Sequence, residues 1–395
     1  MINIRALQSE IIAGTTGRMG DMNMNMIGLI FSNIHDAKMG ELTKHRTLAS
    51  VPFGGRYRLV DFVLSNMVNS EITTVGVITK QNYQSLMDHL GSCEEWDLNR
   101  KDGGLFILPP FGEGQTNVYR GKLEALYGAE KFLERAKGEY VLLSDCNVIC
   151  NIDYRVALKS HIDSGADVTV ICNRENPEVD GSNKDLVLQA DDDGKVTEVL
   201  MHTGYTKDNL IGMGMYILKK DLLVERISKA AAQGLYDFER DFLQLEFNHG
   251  ELTINTYEHK FSVLRNVDVP SYFANNLKLM DDTVRQDIFA ENSPIYTKVR
   301  DEAPTFYSEG CEVDNCLIAD GCRIEGSMSD TLLFRDVSVA KGAKVKNCII
   351  MQGSDIGEDC YLENAIIDKD VTITAGKTLV GAPNSPIIIQ KGGTV

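Results

Sequence analysis

Apolar residues fall along this chain in two rhythms. From residue 26 to about 260, strand-length apolar runs recur at Ile27–Phe31, Thr74–Ile78, Tyr140–Leu143, Val168–Cys172 and Met213–Leu218, with helix-like segments such as Gly121–Arg135 and Asp221–Ala232 between them. This alternation predicts an α/β domain built on a mainly parallel sheet. Ligands of such sheets bind at the carboxyl ends of the strands. A helical segment at Pro270–Met280 leads out of this region.

From about residue 305 the rhythm shortens. Ile318 and Ile324 are six apart, and Leu333, Val339, Val345, Ile350, Ile356, Leu362, Ile367, Ile373 and Leu379 follow at steps of 6, 6, 5, 6, 6, 5, 6 and 6. Short strings echo one another: Asn315-Cys316-Leu317-Ile318, Asp330-Thr331-Leu332-Leu333, Asn347-Cys348-Ile349-Ile350 and Asn364-Ala365-Ile366-Ile367, the last two steps being 17 residues. One inward apolar residue per six, three short strands per coil, predicts a parallel β-helix, of the left-handed hexapeptide kind. An ordinary sandwich would instead show period 2. The absence of histidine after His259 speaks against a hexapeptide acyltransferase, which needs a basic His in the coil. The β-helix is therefore read as structural and used for assembly.

Residues 1–25 fit neither rhythm. Their Ala13-Gly14-Thr15-Thr16-Gly17-Arg18-Met19-Gly20 string invites a phosphate-loop reading, but the first convincing strand starts only at Ile27. The expected division is an extension over 1–25, expected to be mobile, an α/β domain over 26–280, a linker over 281–304 and a β-helix over 305–395.

A length of 395 residues suits two domains. A formal net charge of −17 argues against general nucleic-acid binding, which needs clustered Lys and Arg. No apolar run reaches membrane-spanning length, and the N-terminus lacks the basic-then-apolar signature of a secretory signal. Nine scattered cysteines without a CxxC pair are expected to be reduced thiols of a cytoplasmic protein, with no zinc site.

Several strings then identify a family. Val51-Pro52-Phe53-Gly54-Gly55-Arg56-Tyr57-Arg58-Leu59-Val60-Asp61-Phe62 resembles the glycogen and starch ADP-glucose pyrophosphorylases. So do Leu64–Ser70, His89–Ser92, Trp96–Arg100, Ile107–Pro110 and Tyr119-Arg120-Gly121, in the family's order. The resemblance covers roughly residues 26–395. It implies a nucleotide-diphospho-sugar transferase domain, Rossmann-like, followed by a left-handed β-helix. It also implies a reaction joining ATP to glucose 1-phosphate with Mg²⁺, giving ADP-glucose and pyrophosphate. Such a transfer needs backbone close to the phosphates, cations, and carboxylates for the metal.

Matched to the family's motifs, this chain departs at the charged positions. The glycine-rich phosphate loop reads Asn33-Ile34-His35-Asp36-Ala37-Lys38-Met39, with Lys38 keeping one positive charge. The phosphate-facing lysine is Leu48. The nucleotide-base segment keeps Gly121, but its small residues have become Lys122, Leu123 and Glu124. Of the two metal carboxylates, Asp145 is retained and the second is Asn266, an amide and a weak Mg²⁺ ligand. Asp268, two residues on, is a poor substitute. The sugar-phosphate lysine is His202, which lacks a constitutive charge. No metal site is therefore assigned to this chain.

The pattern resembles the regulatory, GlgD-type subunits of the bacterial enzyme. It implies a catalytic partner subunit that carries the Mg²⁺, a hetero-oligomer of tetramer type, and small phosphorylated metabolites as ligands. Lys38, Arg56, Arg58, Tyr119, Arg120 and Gly121 are the candidate phosphate, nucleotide or effector contacts. Two other readings stay open: an active sugar-nucleotide pyrophosphorylase with a rearranged site, and a stand-alone sugar-phosphate or nucleotide sensor.

Overall fold

The computed structural model describes residues 25–33, 36–110, 119–176 and 183–395; Ile34 and nearly all of the expected N-terminal extension lie outside them. The α/β domain is organised by one nine-stranded sheet. Its strands are β1 (Met26–Phe31), β2 (Thr74–Ile78), β3 (Gly104–Leu108), β4 (Tyr140–Asp145), β5 (Val168–Asn173), β6 (Asn183–Ala190), β7 (Val196–Gly204), β8 (Leu210–Lys219) and β9 (Ile254–Glu258). All six residues of β1 are buried. A strand covered on both faces belongs inside a sheet, and β1 pairs in parallel with β2 and β4. The main path runs β7-β6-β8-β4-β1-β2-β3, with β5 beside β8 and β9 beside β5.

The sheet is mixed, and mostly parallel. β8 runs antiparallel to β4, β5 and β6. β6 and β7 form a hairpin, and antiparallel pairing of those two strands is what its short connection permits. Asp191 closes that hairpin by accepting from the Asp193 and Lys195 amides. The segment read as one helix over 121–135 is two, α1 (Lys122–Gly128) and α2 (Glu130–Arg135), broken at Ala129.

The C-terminal domain is a parallel β-helix. Strands stack on successors 15 or 17 residues later, as in Leu317 on Leu332, Leu332 on Ile349 and Lys344 on Tyr361. The repeated Asn or Asp of the sequence echoes sits at a coil corner: Asn315, Asp330, Asn347 and Asn364 all have φ between 46° and 52°. Only Gly, Asn and Asp enter that region readily. The side chains also form a ladder, Asn315 to Asp330, Asn347 to Asn364, and Asn364 to the Gly381 carbonyl. The 17-residue echo thus records a corner requirement as well as an apolar one.

The two domains share a core. Leu48, Phe53, Phe62, Tyr272 and Phe273 of the first pack in one cluster with Leu332, Phe334, Ile349, Met351 and Ile366 of the second. Across this seam Arg46 donates to both oxygens of Asp368, at 2.7 and 2.6 Å. Their side chains are only 5% and 2% exposed, so each charge depends on the other for solvation. Seven of the nine cysteines are buried and all are free thiols. Among the described residues no helix is long and apolar enough to cross a membrane.

Replacing one member of a buried ion pair strands the other. Asp368→Asn is expected to destabilise the chain by about 3–5 kcal/mol, read from the denaturant midpoint. The same change at Asp102, whose pair with Lys137 is exposed, is expected to leave that midpoint unmoved.

Candidate functional site

The carboxyl end of β4 opens into a cleft of about 810 Å³. Asp145, the last residue of β4, reaches its wall and is 4% exposed. Its Oδ2 accepts from the Lys122 ammonium at 2.8 Å. The same ammonium contacts Glu239 Oε1, which also accepts from the Tyr216 hydroxyl at 2.9 Å. The rings of Phe31 and Tyr216 lie 5.6 and 5.5 Å from the Lys122 nitrogen, adding cation–π attraction.

Local backbone fixes this arrangement. Gly121 precedes α1 and passes so close to the 236 carbonyl that a Cβ would stand 2.3 Å from its oxygen. Gly214, at φ +67°, brings β8 against Asp145; a Cβ there would lie 2.4 Å from Oδ2. Burial opposes the Lys122 charge, but Asp145 and Glu239 more than offset it and hold the lysine above its ordinary range. Burial raises Asp145 while Lys122 pulls it back. Asp145 Oδ1 and Asn147 Oδ1 are buried without hydrogen-bond partners among the described residues.

Asn266 does not face the cleft. Its amide nitrogen donates to the Asn147 and Leu264 carbonyls at 3.2 and 3.4 Å, and its Oδ1 accepts from Asn275 at 3.2 Å. Asp268 lines the cleft but caps the helix over Val269–Lys278, accepting from the Ser271 amide and hydroxyl at 2.9 and 2.6 Å. Among the described residues no three His, Cys, Asp or Glu side chains stand together as metal ligands. The Mg²⁺ that the resemblance implies therefore does not fit the residues present. One carboxylate is already neutralised by an ammonium, and the position of the second is an amide turned to backbone. Mg²⁺ wants near-octahedral oxygen ligands.

The loop after β1 is also internally satisfied. Asn33 Oδ1 accepts from the Lys80 amide at 2.9 Å, and its amide nitrogen contacts Asp36. Asp36 Oδ1 accepts from the Leu48 amide at 2.8 Å. Burial pushes Asp36 up to about 6, against the pull of these two donors. Leu48 is buried in the seam core, so its side chain supplies no charge and faces no ligand. Lys38 is exposed and lines the cleft.

His202 stands exposed at the cleft's far wall, 3.3 Å from Asp185 and at φ +48°. Near it Glu175 holds Lys184 at 2.6 Å and Arg265. Arg265 also donates to the Gly212 carbonyl and Asn173, at 2.8 and 2.5 Å.

The remaining candidates separate. Arg120 is exposed, pairs with Glu124 and stacks over Tyr236 at 4.7 Å, while Tyr119 lies under Lys80 at 5.5 Å; neither lines the cleft. Arg56 and Arg58 line a different cavity, about 300 Å³, at the domain seam, together with Lys298, Arg300, Arg335 and Lys369. Arg58 donates to Ser85 at 2.6 and 3.0 Å, and burial lowers it to about 10. Burial and then Arg58 and Arg46 push Lys369 down to about 7, with Asp368 acting the other way.

The cleft thus gathers Lys38, Gly121, Asp145 and His202, and the seam gathers Arg56 and Arg58. Reading the sequence missed the roles of Lys122, Glu239, Lys184 and Lys369. A lysine directly after Gly121 was the one available signal for the first.

Comparison with known proteins agrees with this fold. Residues 37–263 match the family model described as nucleotidyl transferase, and 304–385 match the GlmU-like C-terminal hexapeptide model. The chain is 35% identical over 371 residues to the glycogen biosynthesis protein GlgD of Bacillus subtilis, covering 94% of this chain and 97% of that one. GlgD of Geobacillus stearothermophilus is 37% identical over 377 residues, with the same shares covered. A glucose-1-phosphate adenylyltransferase of Bacillus cytotoxicus is 30% identical over 368 residues, covering 92% and 97%.

The packing of Asn266 predicts the outcome of reinstating a carboxylate. An aspartate cannot donate to the Asn147 and Leu264 carbonyls and would bring a buried charge against them. Asn266→Asp is expected to cost about 1–3 kcal/mol or more at neutral pH, read by thermal unfolding, with the loss shrinking as acid protonates the new side chain.

Proposed function

We propose a function from one premise: the chain belongs to the family of GlgD and glucose-1-phosphate adenylyltransferase, nucleotidyltransferase-fold proteins of glycogen biosynthesis. On our reading it is the regulatory, non-catalytic partner subunit of a hetero-oligomeric glucose-1-phosphate adenylyltransferase. The catalytic subunit carries the Mg²⁺ and the chemistry, in a cytoplasmic assembly of tetramer type.

The observation that carries this reading is the Lys122 ammonium on Asp145. Joining ATP to glucose 1-phosphate drives a sugar-phosphate oxygen in line onto the α-phosphorus and expels pyrophosphate. The step needs positive charge on the triphosphate and a cation at the leaving group. Here the carboxylate inherited for the cation is spent on a lysine. The loop inherited for phosphate turns Asn33 and the Leu48 amide onto Asp36. The lysine inherited for phosphate is Leu48, packed in a core. Losing two such groups costs on the order of 10³-fold in rate or more.

What this subunit keeps is the cationic cavity at its seam. Planar guanidinium groups suit phosphate oxygens, so Arg56 and Arg58, with Lys369 opposite, are assigned to a phosphorylated effector. An anion there contacts both domains at once and biases the partner through the shared interface, by a coupling of about 1–3 kcal/mol.

Two outcomes follow. The chain purified alone is expected to turn over at a background rate, while adding it to the catalytic subunit changes that subunit's substrate affinity or effector response. Ordinary turnover by the chain alone defeats the reading. Lys369 sets a pH dependence at the seam. Its depressed value leaves it neutral above about pH 7, and an anion draws the proton back on. Sulfate, which does not itself titrate there, is expected to bind more tightly at pH 6 than at pH 8 by calorimetry, and Lys369→Met is expected to flatten that difference.

A further inference from the structure

We propose that the cleft holds a latent divalent-cation site, formed by Asp145, Glu239 and Asn147 and kept shut by Lys122. Two carboxylates meet on one ammonium nitrogen, Asp145 at 2.8 Å and Glu239 beside it. Both line the cleft, as does Asn147. Asp145 Oδ1 and Asn147 Oδ1 are buried and have no hydrogen-bond partner among the described residues, though their side chains stand at its wall. Without the lysine this leaves two negative charges around the volume its ammonium fills, with the Asn147 amide oxygen on a residue lining the same cleft. That is an all-oxygen donor set of the kind hard cations choose. The ammonium supplies one positive charge where such an ion supplies two, and it is tethered, so it cannot be exchanged or chelated.

The site differs from the inherited one in its second carboxylate. Asn266 is turned to the Asn147 and Leu264 carbonyls, whereas Glu239 comes from the turn of helix over Phe238–Gln244. Gly214 and Gly121 fix the approach of the backbone to Asp145 and to the 236 carbonyl, so shrinking residue 122 leaves the walls in place. The inference concerns this chain's own residues and does not depend on assembly with a partner.

The experiment is a Mn²⁺ titration of the full chain, followed by electron paramagnetic resonance. The wild-type chain is expected to take up no Mn²⁺ at this site, so its signal matches that of Asp145→Asn. In Lys122→Ala, Lys122→Met and Lys122→Gln a bound fraction is expected to appear, with affinity about tenfold or more above wild type. Adding Asp145→Asn or Glu239→Gln to a Lys122 variant is expected to abolish it. Mn²⁺ binding by the wild-type chain that Asp145→Asn removes overturns the proposal. So does equal binding by wild type and the folded Lys122 variants. Failure of all three variants to fold overturns it too, because the lysine would then hold the fold rather than shut a site. None of these readouts is turnover, so the proposed regulatory role stands or falls separately.

Discussion

A charged lysine buried between two carboxylates is the constraint around which the cleft is built. Taking an ammonium out of water costs several kcal/mol unless opposite charge meets it at short range. Lys122 meets that condition only because the end of β4, the start of α1, β8 and the turn carrying Glu239 converge on one point. Each is held there by something specific: a buried strand end, two glycines whose side chains would collide, and a tyrosine hydroxyl. The fold of an enzyme is thereby retained while its charge balance is closed from within.

The same principle recurs at other charged positions. Asp36 gathers the donors of the loop after β1, and Asp268 is occupied with a helix end. Arg46 and Asp368 neutralise each other across the seam. The exception is the cavity lined by Arg56, Arg58 and Lys369, where positive charge outweighs negative and Lys369 gives way to its neighbours. Unbalanced charge is stabilised by a counter-ion, which is why the regulatory reading rests on the seam and the non-catalytic one on the cleft.

Local patterns in the sequence carried the fold further than the site. The 6-5-6 apolar steps and the repeated Asn or Asp reveal the β-helix because each coil imposes the same inward residue and the same left-handed corner on its neighbour. Asp145 is legible as the end of a buried strand. The departures at Leu48, His202 and Asn266 are legible against the family's motifs. The partnership of Lys122 with Glu239 is not, since 117 residues separate them and neither lies in a string that names the other. The direction of β7 depends on a hairpin whose first strand, Asn183–Ala190, is weakly apolar. The seam cavity joins residues some 300 positions apart in the chain, brought together by the packing of a coil against Phe53 and Phe62 and by the Arg46–Asp368 pair.

The interlocked core between the domains has a mechanical consequence. A hinge needs two bodies that part without exposing much oil-like surface, and here parting would wet side chains from both, at about 25 cal/mol for every Å² uncovered. The chain is therefore a stiff strut rather than a pair of jaws. A disturbance at the seam has no soft joint to flex, so it travels as a small rigid turn of the whole body.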